Sequence, residues 1–199
     1  MRIIVIGAGG TIGKAVVAEL APRHEIIQVG KTRGDYQVDI TDLDSIRALF
    51  EKTGKVDAIV STAGNVHFGP LSEMTPELFD IGLKDKLMGQ VNLALAGQQY
   101  LNDAGSLTLT SGILSEDPIR YGSSASMVNG ALEIFVRAAA IELPDGLRIN
   151  AVSPTVIEES MESFGQYFRG FEAVPARRAA LAYSRSVEGA QTGQVYKAW

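Results

Sequence analysis

The sequence contains no cysteine and only two histidines among its 199 residues. The absence of cysteine excludes disulfides, thiolate metal ligands and a cysteine nucleophile. Two histidines, His24 and His67, are too few for a histidine-based metal site, so we expect no metal centre. No apolar run reaches the length of a membrane-spanning helix, and no segment is typical of a targeting sequence. These absences predict a cytoplasmic protein with no membrane partner.

The chain also lacks an excess of positive charge. Eighteen Lys and Arg residues stand against 23 Asp and Glu residues, which gives a formal net charge of −5. Nucleic-acid binding needs a basic surface, so we expect no nucleic-acid partner. Hydrophobic residues make up 46% of the chain and charged residues 21%, which is typical of a globular protein. The length is that of one domain, predicted to span residues 1–199.

Short apolar runs alternate with helical patterns along the whole chain. Apolar runs predict strands at residues 2–6, 25–29, 57–61, 106–110, 147–152 and 194–196. Helical spacing predicts helices over residues 11–20, 42–52, 83–101, 124–143 and, in two pieces split near Pro175, 158–187. Such alternation forms right-handed βαβ units. The prediction is a doubly wound, Rossmann-like parallel sheet flanked by helices, an α/β fold of three layers (α/β/α), whose ligands bind beyond the carboxyl ends of the strands.

A glycine-rich loop follows the first predicted strand and opens the first predicted helix. It reads Gly7-Ala8-Gly9-Gly10-Thr11-Ile12-Gly13. The spacing Gly7-x-x-Gly10-x-x-Gly13 lets backbone N–H groups approach a phosphate at the helix N-terminus. The position between strand and helix is the context that such a motif requires. We therefore predict a dinucleotide pyrophosphate site here. The alternative is a tight turn without a ligand.

The end of the second predicted strand bears on the choice of dinucleotide. It reads Gly30-Lys31-Thr32-Arg33-Gly34, with no acid before Asp35. An acid at this place would bind the ribose 2′-OH of NAD. Lys31 and Arg33 instead suit the 2′-phosphate of NADP. The loop favours NADP(H) over NAD(H). The alternative is that the two basic residues form an ordinary solvated surface.

Further motifs resemble the short-chain dehydrogenase/reductase family over nearly the whole chain. The matching segments are Gly7–Gly13, Asp39-Ile40-Thr41-Asp42, Ser61-Thr62-Ala63-Gly64, Leu147 to Pro154 and Thr192-Gly193-Gln194-Val195. The resemblance implies hydride transfer between a nicotinamide and a small carbonyl or alcohol. With the basic loop, the candidate cofactor-binding residues are Gly7, Gly10, Thr11, Ile12, Gly13, Lys31, Arg33, Asp39, Ile40, Ser61, Ala63, Gly64, Asn129, Pro154 and Thr155.

The chain departs from the family where the proton chemistry is expected. The family uses a tyrosine, a lysine four residues later, a serine and an asparagine. The resemblance places these four at Ala125, Asn129, Gly112 and Lys86, respectively. An alanine cannot transfer a proton, so the family's usual mechanism does not follow from the sequence.

The same functional groups recur nearby, which suggests a replacement set. The hypothesis takes Tyr121 as the acid, Lys86 as the cation and Ser111 as the residue that orients the substrate. The alternative assigns them ordinary roles: a loop aromatic, a solvated lysine and a structural serine. The sequence is thus compatible with an oxidoreductase and with a non-catalytic NADP(H)-binding sensor or assembly protein.

The resemblance also implies a lid and an assembly. Residues at about 155–175 correspond to the family's substrate lid. Helices 83–101 and 124–143 correspond to those that pack against a second subunit, which implies a homodimer or homotetramer. The alternative is that the small residues of these helices face the protein's own sheet.

Overall fold

Seven parallel strands form a single sheet in the computed structural model, which describes all 199 residues. Their order across the sheet is β3-β2-β1-β4-β5-β6-β7. The strands are β1 (Arg2–Ile6), β2 (Glu25–Gly30), β3 (Tyr36–Gln37), β4 (Val56–Ser61), β5 (Leu101–Thr110), β6 (Arg148–Pro154) and β7 (Val195–Ala198). The predicted parallel sheet is confirmed. The strand order reverses between β1 and β4, which is where folds of this type bind ligands.

The helices connect successive strands and cover both faces of the sheet. They are α1 (Thr11–Leu20), α2 (Leu43–Thr53), α3 (Pro76–Ile81), α4 (Met88–Gly97), α5 (Ser123–Glu142), α6 (Met161–Phe164) and α7 (Ala176–Glu188). A π-helical stretch, Gly82–Leu87, joins α3 to α4 without a break. No helix is both long enough and apolar enough to cross a membrane.

The strand pleat divides the core into two layers. Successive side chains of a strand point to opposite faces. Ile3 and Val5 of β1 accordingly pack in a cluster that includes Leu20 of α1 and Tyr183 of α7. Ile4 and Ile6 pack on the other face. Their cluster includes Phe50 of α2, Leu93 of α4 and Leu132 of α5. The predicted three-layer arrangement is confirmed, and the apolar runs of the sequence reflect burial on both faces.

Four element predictions differ from the structure. The strand predicted over residues 106–110 begins at Leu101. The helix predicted over residues 83–101 begins at Pro76 and gives way at Gly97 to one tight turn, and Leu101 already belongs to β5. The predicted helical segment 158–187 is helical only in the short turns before Gly165 and again in α7. The two-residue strand β3 was not predicted, because two residues are too few to show a period.

Candidate functional site

The glycine loop lies at the carboxyl end of β1, and three of its glycines, Gly7, Gly10 and Gly13, are packed closely against backbone or Thr62. Gly7 has φ of +83°, and a Cβ there would lie 2.7 Å from Thr62 Oγ1. A Cβ on Gly13 would overlap the carbonyl oxygen of Gly7, and one on Gly10 would lie 3.3 Å from the same oxygen. The spacing of these three glycines is therefore what lets α1 begin directly against the strand end.

The first turn of α1 presents unpaired backbone donors. The N–H groups of Thr11, Ile12 and Gly13 have no backbone acceptor. Gly10, at the N-cap, offers no side-chain cap, and no acid lies in the first turn. The free amides and the positive end of the helix dipole form a donor set that suits a phosphate. The loop thus fits a dinucleotide pyrophosphate.

The two basic residues after β2 have different surroundings. Lys31 Nζ lies 2.8 Å from Asp39 Oδ2. This ion pair, together with hydrogen bonds from Thr41, lowers the pKa of Asp39 to about 2. Arg33 has no ion-pair partner, and its Nε would lie 3.7 Å from a Cβ on Gly9. Arg33 is therefore the unpaired cation beside the glycine loop.

A groove lies at the carboxyl ends of β1, β2 and β4, beside Gly7 and Lys31. Its walls include Lys31, Asp39, Ile40, Ala63 and Gly64. Ser61, also predicted to bind the cofactor, is fully buried in β4 and lines neither this groove nor the cavity beside it. The role of Ser61 in cofactor binding stays a prediction.

A cavity of about 250 Å³ opens next to the glycine loop. The candidate residues that line it are Ile12, Ala63, Gly64, Lys86, Ser111, Ala125, Asn129, Pro154 and Thr155. Apolar side chains from the loops and the segment after β6 form much of the remaining wall, among them Val66, Phe68, Ile113, Leu114, Val156 and Phe168. An apolar cavity with few polar groups is typical of a small-molecule site.

Lys86 and Asn129 form the polar centre of this cavity. Lys86 Nζ donates to Asn129 Oδ1 at 2.7 Å and to the Ser111 carbonyl oxygen at 3.0 Å. An ammonium can only donate, so the amide oxygen of Asn129 must face it and the amide NH₂ must point away. Burial lowers the pKa of Lys86 to about 8, although the charge of Glu133 acts in the opposite direction.

The hydroxyl of Ser111 is committed to the protein rather than to a substrate. Ser111 Oγ donates to Glu133 Oε1 at 2.9 Å, and Ser115 Oγ donates to the same oxygen at 2.7 Å. Glu133 is only 5% exposed. Ser111 contributes its carbonyl oxygen to Lys86, so the structure corrects the predicted orienting role of the Ser111 hydroxyl.

Tyr121 lies outside the cavity that contains Lys86. It precedes α5 with φ of +67°, and its ring packs edge-on against Tyr167 at 6.4 Å between centroids. It lines a separate cavity with residues such as Pro70 and Pro118. The structure therefore does not bring the predicted Tyr121–Lys86–Ser111 set together. The turn before α5 places Tyr121 in a different cavity from the one that Lys86 and Ser111 line.

Two aromatic residues of the predicted lid segment 155–175, Phe164 and Phe168, line the cavity. Phe68 stacks on Tyr167 at 5.3 Å and contacts Phe164 at 5.9 Å, and Phe168 packs edge-on against Phe171 at 5.5 Å. The sequence prediction of a lid does not include this aromatic cluster, and the role of the segment as a lid stays a prediction. The signal was four aromatic residues within eight positions, from 164 to 171.

Several curated proteins similar to this chain are reductases. L-xylulose reductase of Mesocricetus auratus is 29% identical over 178 residues, which cover 80% of this chain and 73% of that protein. Elsinochrome reductase 1 of Elsinoe fawcettii is 30% identical over 183 residues, which cover 79% of this chain and 68% of that protein.

Solved structures and a family model agree with this relationship. The crystal structure of the protein lin1944 from Listeria innocua matches with a TM-score of 0.99 at 51% identity and covers 100% of both chains. A small-chain dehydrogenase in complex with NADPH matches with a TM-score of 0.88 at 25% identity, over 99% of this chain and 95% of that one. The family model described as enoyl-(acyl carrier protein) reductase matches residues 6–196. The chain therefore belongs to the short-chain dehydrogenase/reductase family of NAD(P)-binding oxidoreductases.

Proposed function

We propose that this protein is an NADP(H)-dependent oxidoreductase that acts on a small carbonyl or alcohol. The observation that carries the proposal is that the glycine loop lies directly beside an apolar cavity. The loop has free first-turn amides, and the cavity contains one ammonium, that of Lys86. A dinucleotide on the loop would extend its nicotinamide toward that cavity. The reductase names of the relatives and the NADPH complex of a structural neighbour support this assignment.

Three regions of the protein would bind the cofactor: one each for the pyrophosphate, the adenosine and the nicotinamide. The amides of Thr11, Ile12 and Gly13 would bind the pyrophosphate, with Gly7 and Gly10 giving the loop its close packing. The groove at the ends of β1, β2 and β4 would take the adenosine, beside Asp39 and Ile40. These residues lie at the strand-order reversal, as expected for a dinucleotide site.

The nicotinamide would lie among the remaining candidates at the cavity end. These are Ala63, Gly64, Asn129, Pro154 and Thr155. When bound, the nicotinamide gives or accepts the hydride. The chain supplies the rest: with the cofactor bound, the apolar wall and the aromatic residues Phe164 and Phe168 would limit water around the reacting atoms, which strengthens the polar interactions of Lys86.

Arg33 is the basis for the preference for NADP(H). A planar guanidinium without an acidic partner suits a phosphate monoester. Lys31 can assist, but it is already paired with Asp39. Both acids that line the groove already accept hydrogen bonds: Asp39 from Lys31 and Thr41, and Asp85 from Asn65.

A paired titration tests the proposed function. NADPH and NADH are titrated separately by calorimetry, and a panel of small carbonyl compounds is then added while the nicotinamide absorbance is followed. We expect tighter binding of NADPH and a carbonyl-dependent loss of absorbance. Binding without turnover across the panel would contradict the enzyme proposal, and no binding would contradict cofactor use.

We also propose that two copies assemble through residues 83–101 and 124–143. Large apolar side chains lie exposed on these helices at positions seven residues apart, which places them on one face of each helix. They are Met88 and Leu95 on α4, and Met127, Ile134 and Ile141 on α5. Their exposure reaches 61% at Ile134 and 86% at Ile141. Such a surface is suited to burial against a second copy.

A further inference from the structure

One side chain of the cavity is placed to give a proton to a bound carbonyl. We propose that the Lys86 ammonium is the proton donor, and that the Asn129 amide donates a second hydrogen bond to the same carbonyl oxygen. The inference rests on the proposed hydride transfer and assigns the proton chemistry that goes with it. The first observation is that Lys86 is the single titratable side chain among the residues that line the cavity.

Lys86 reaches the cavity from the π-helical stretch rather than from α5. Its stem lies directly on Gly64, where a Cβ would come within 2.7 Å of Lys86 Cγ. Two of its three N–H bonds are used, by Asn129 Oδ1 and by the Ser111 carbonyl oxygen. The third has no acceptor in the protein. The ammonium is thus fixed at two points and keeps one donor for a ligand.

Asn129 carries the second free donor. The residue is 3% exposed, and its amide oxygen is taken by Lys86. Its Nδ2 has no acceptor in the protein. A Cβ on Gly112 would lie 2.9 Å from this nitrogen, so glycine at 112 leaves the amide accessible. This nitrogen is therefore accessible from the cavity and free to donate to a ligand oxygen there.

The charges around Lys86 keep it able to transfer a proton. Glu133 of α5 faces it through Ser111 and raises its pKa, while burial lowers that pKa to about 8. Asp85, on the same stretch, is bound to Asn65. The Tyr183 hydroxyl of α7 is hydrogen-bonded to the Thr110 hydroxyl, and burial raises the pKa of Tyr183. Lys86 is therefore charged at neutral pH and a stronger acid than a solvated lysine, which suits general acid catalysis.

The step balances with groups already named. Hydride from the reduced cofactor forms the new C–H bond at the carbonyl carbon, and the C=O π electrons move to oxygen. That oxygen forms an O–H bond as an N–H bond of Lys86 breaks. The hydride leaves a C–H bond of the reduced nicotinamide, so the carbonyl gains two electrons and the cofactor loses them. Once the product leaves, the neutral amine recovers a proton from the water that enters.

Lys86→Met is the principal test, with Lys84→Met as its matched control. Lys84 lies two residues away, is 72% exposed and pairs with Asp80. We expect Lys86→Met to keep the NADPH Kd within about threefold and to lower single-turnover reduction at least about 100-fold. Lys84→Met should change neither. Thermal melts of both variants show whether the fold is intact.

The pH dependence separates proton transfer from a purely electrostatic role. Wild-type reduction should decline above pH of about 8, as Lys86 loses its proton. Lys86→Arg keeps a positive charge that does not titrate, so its residual rate should show no decline near that pH. Asn129→Asp adds a negative charge beside Lys86, so the decline should move to higher pH while the rate falls about tenfold through loss of the amide donor.

Three results would overturn the proposal. Equal single-turnover rates for Lys86→Met and wild type would show that the proton comes from elsewhere and would leave the proposed function standing. A large loss of NADPH affinity in Lys86→Met, with an unchanged rate at saturation, would show that Lys86 holds the cofactor instead. Wild-type protein that binds NADPH but reduces no carbonyl would overturn both the proton donor and the proposed enzyme.

Discussion

Arg33 and Lys31 carry the same charge beside the same loop, but only Arg33 lacks an acidic partner. Arg33→Ala should therefore weaken NADPH binding about tenfold or more and leave NADH binding unchanged, because a charge-assisted bond to the 2′-phosphate is lost. Lys31→Ala should have a smaller effect, since Lys31 is paired with Asp39. Calorimetric titration with both cofactors measures the difference.

Arg47→Ala controls for the change in net charge, since Arg47 is an exposed arginine on α2 that pairs with Asp44. Its affinities should match those of the wild type. An equal loss of NADPH and NADH affinity in Arg33→Ala would remove the basis for a phosphate contact at this residue.

Gly13 and Gly9 lie in the same loop but differ in the space around them. A Cβ on Gly13 would overlap the Gly7 carbonyl oxygen, whereas one on Gly9 would meet only Arg33 Nε at an ordinary 3.7 Å. Gly13→Ala should lower the free energy of unfolding by at least about 2 kcal/mol, because backbone must move to accept the methyl group. Gly9→Ala should change it by less than about 0.5 kcal/mol. Urea unfolding of both variants compares them, and equal stabilities would contradict the packing argument.

The sequence allowed the glycines and Lys86 to be predicted at the site, but not the partner of Lys86. Glycine spacing is local, so it can be recognised without a fold. The Lys86–Asn129 contact joins residues 43 positions apart, and it depends on how the π-helical stretch lies against α5. The commitment of the Ser111 hydroxyl to Glu133 depends on tertiary packing in the same way.

At the scale of elements, a polar cluster fastens the end of α7 to the chain just after α1. Glu188 Oε1 accepts from Arg23 Nε at 2.8 Å and lies 2.8 Å from His24 Nε2, and Ser184 donates to its other oxygen. The hydrogen bond from Arg23 is the main cause that lowers the pKa of Glu188 to about 2. The cluster thus makes the packing of the two helices dependent on pH.

The sign of that dependence follows from the lowered pKa. A carboxyl whose pKa is lower in the folded state adds stability above its unfolded pKa, and this is lost as the pH falls toward the folded value. Glu188→Gln should cost about 1 kcal/mol at neutral pH, the upper range for a solvent-accessible pair. Its stability should converge with that of the wild type as the pH falls from 4.5 toward about 2. Unfolding free energies measured across this range give the difference.

Glu51→Gln is the control for this experiment, because Glu51 is exposed on α2 and takes part in no ion pair. Its stability should differ from that of the wild type by less than about 0.5 kcal/mol at every pH. A constant gap between Glu188→Gln and the wild type down to the lowest pH would contradict the assigned cause.

The long helix begins with local signals that lie before the predicted start at residue 83. Thr75 accepts a hydrogen bond from Leu78 N through its hydroxyl, and Pro76 lies in the first turn. Both are ordinary helix-start signals. The π-helical stretch that follows has no comparable signal. Its side chains pack against other elements, as Lys86 does against Gly64, and such packing is not visible in a local pattern.

At the scale of the whole molecule, the architecture was predictable because one regular pattern runs from end to end. Each buried strand reads as an apolar run, and each crossover reads as a helix with one apolar face. Right-handed crossovers leave few topologies to choose from. Local patterns do not predict which side chains on the outer surface of the helices are exposed, because exposure depends on the complete fold. The remaining prediction concerns that surface.

The exposed stripe on α5 should hold two copies together. Ile134 lies at its centre and is 61% exposed. Burying a glutamate there against a second copy would be unfavourable, so Ile134→Glu should separate the assembly into 21.2 kDa chains. Leu181→Glu is the matched control: Leu181 is 57% exposed, but it lies on α7, on the opposite face of the sheet. Sedimentation equilibrium should give at least twice the chain mass for the wild type and Leu181→Glu, and the single-chain mass for Ile134→Glu. If the wild-type protein sediments with the mass of one chain, this stripe does not form an interface between two copies of the protein.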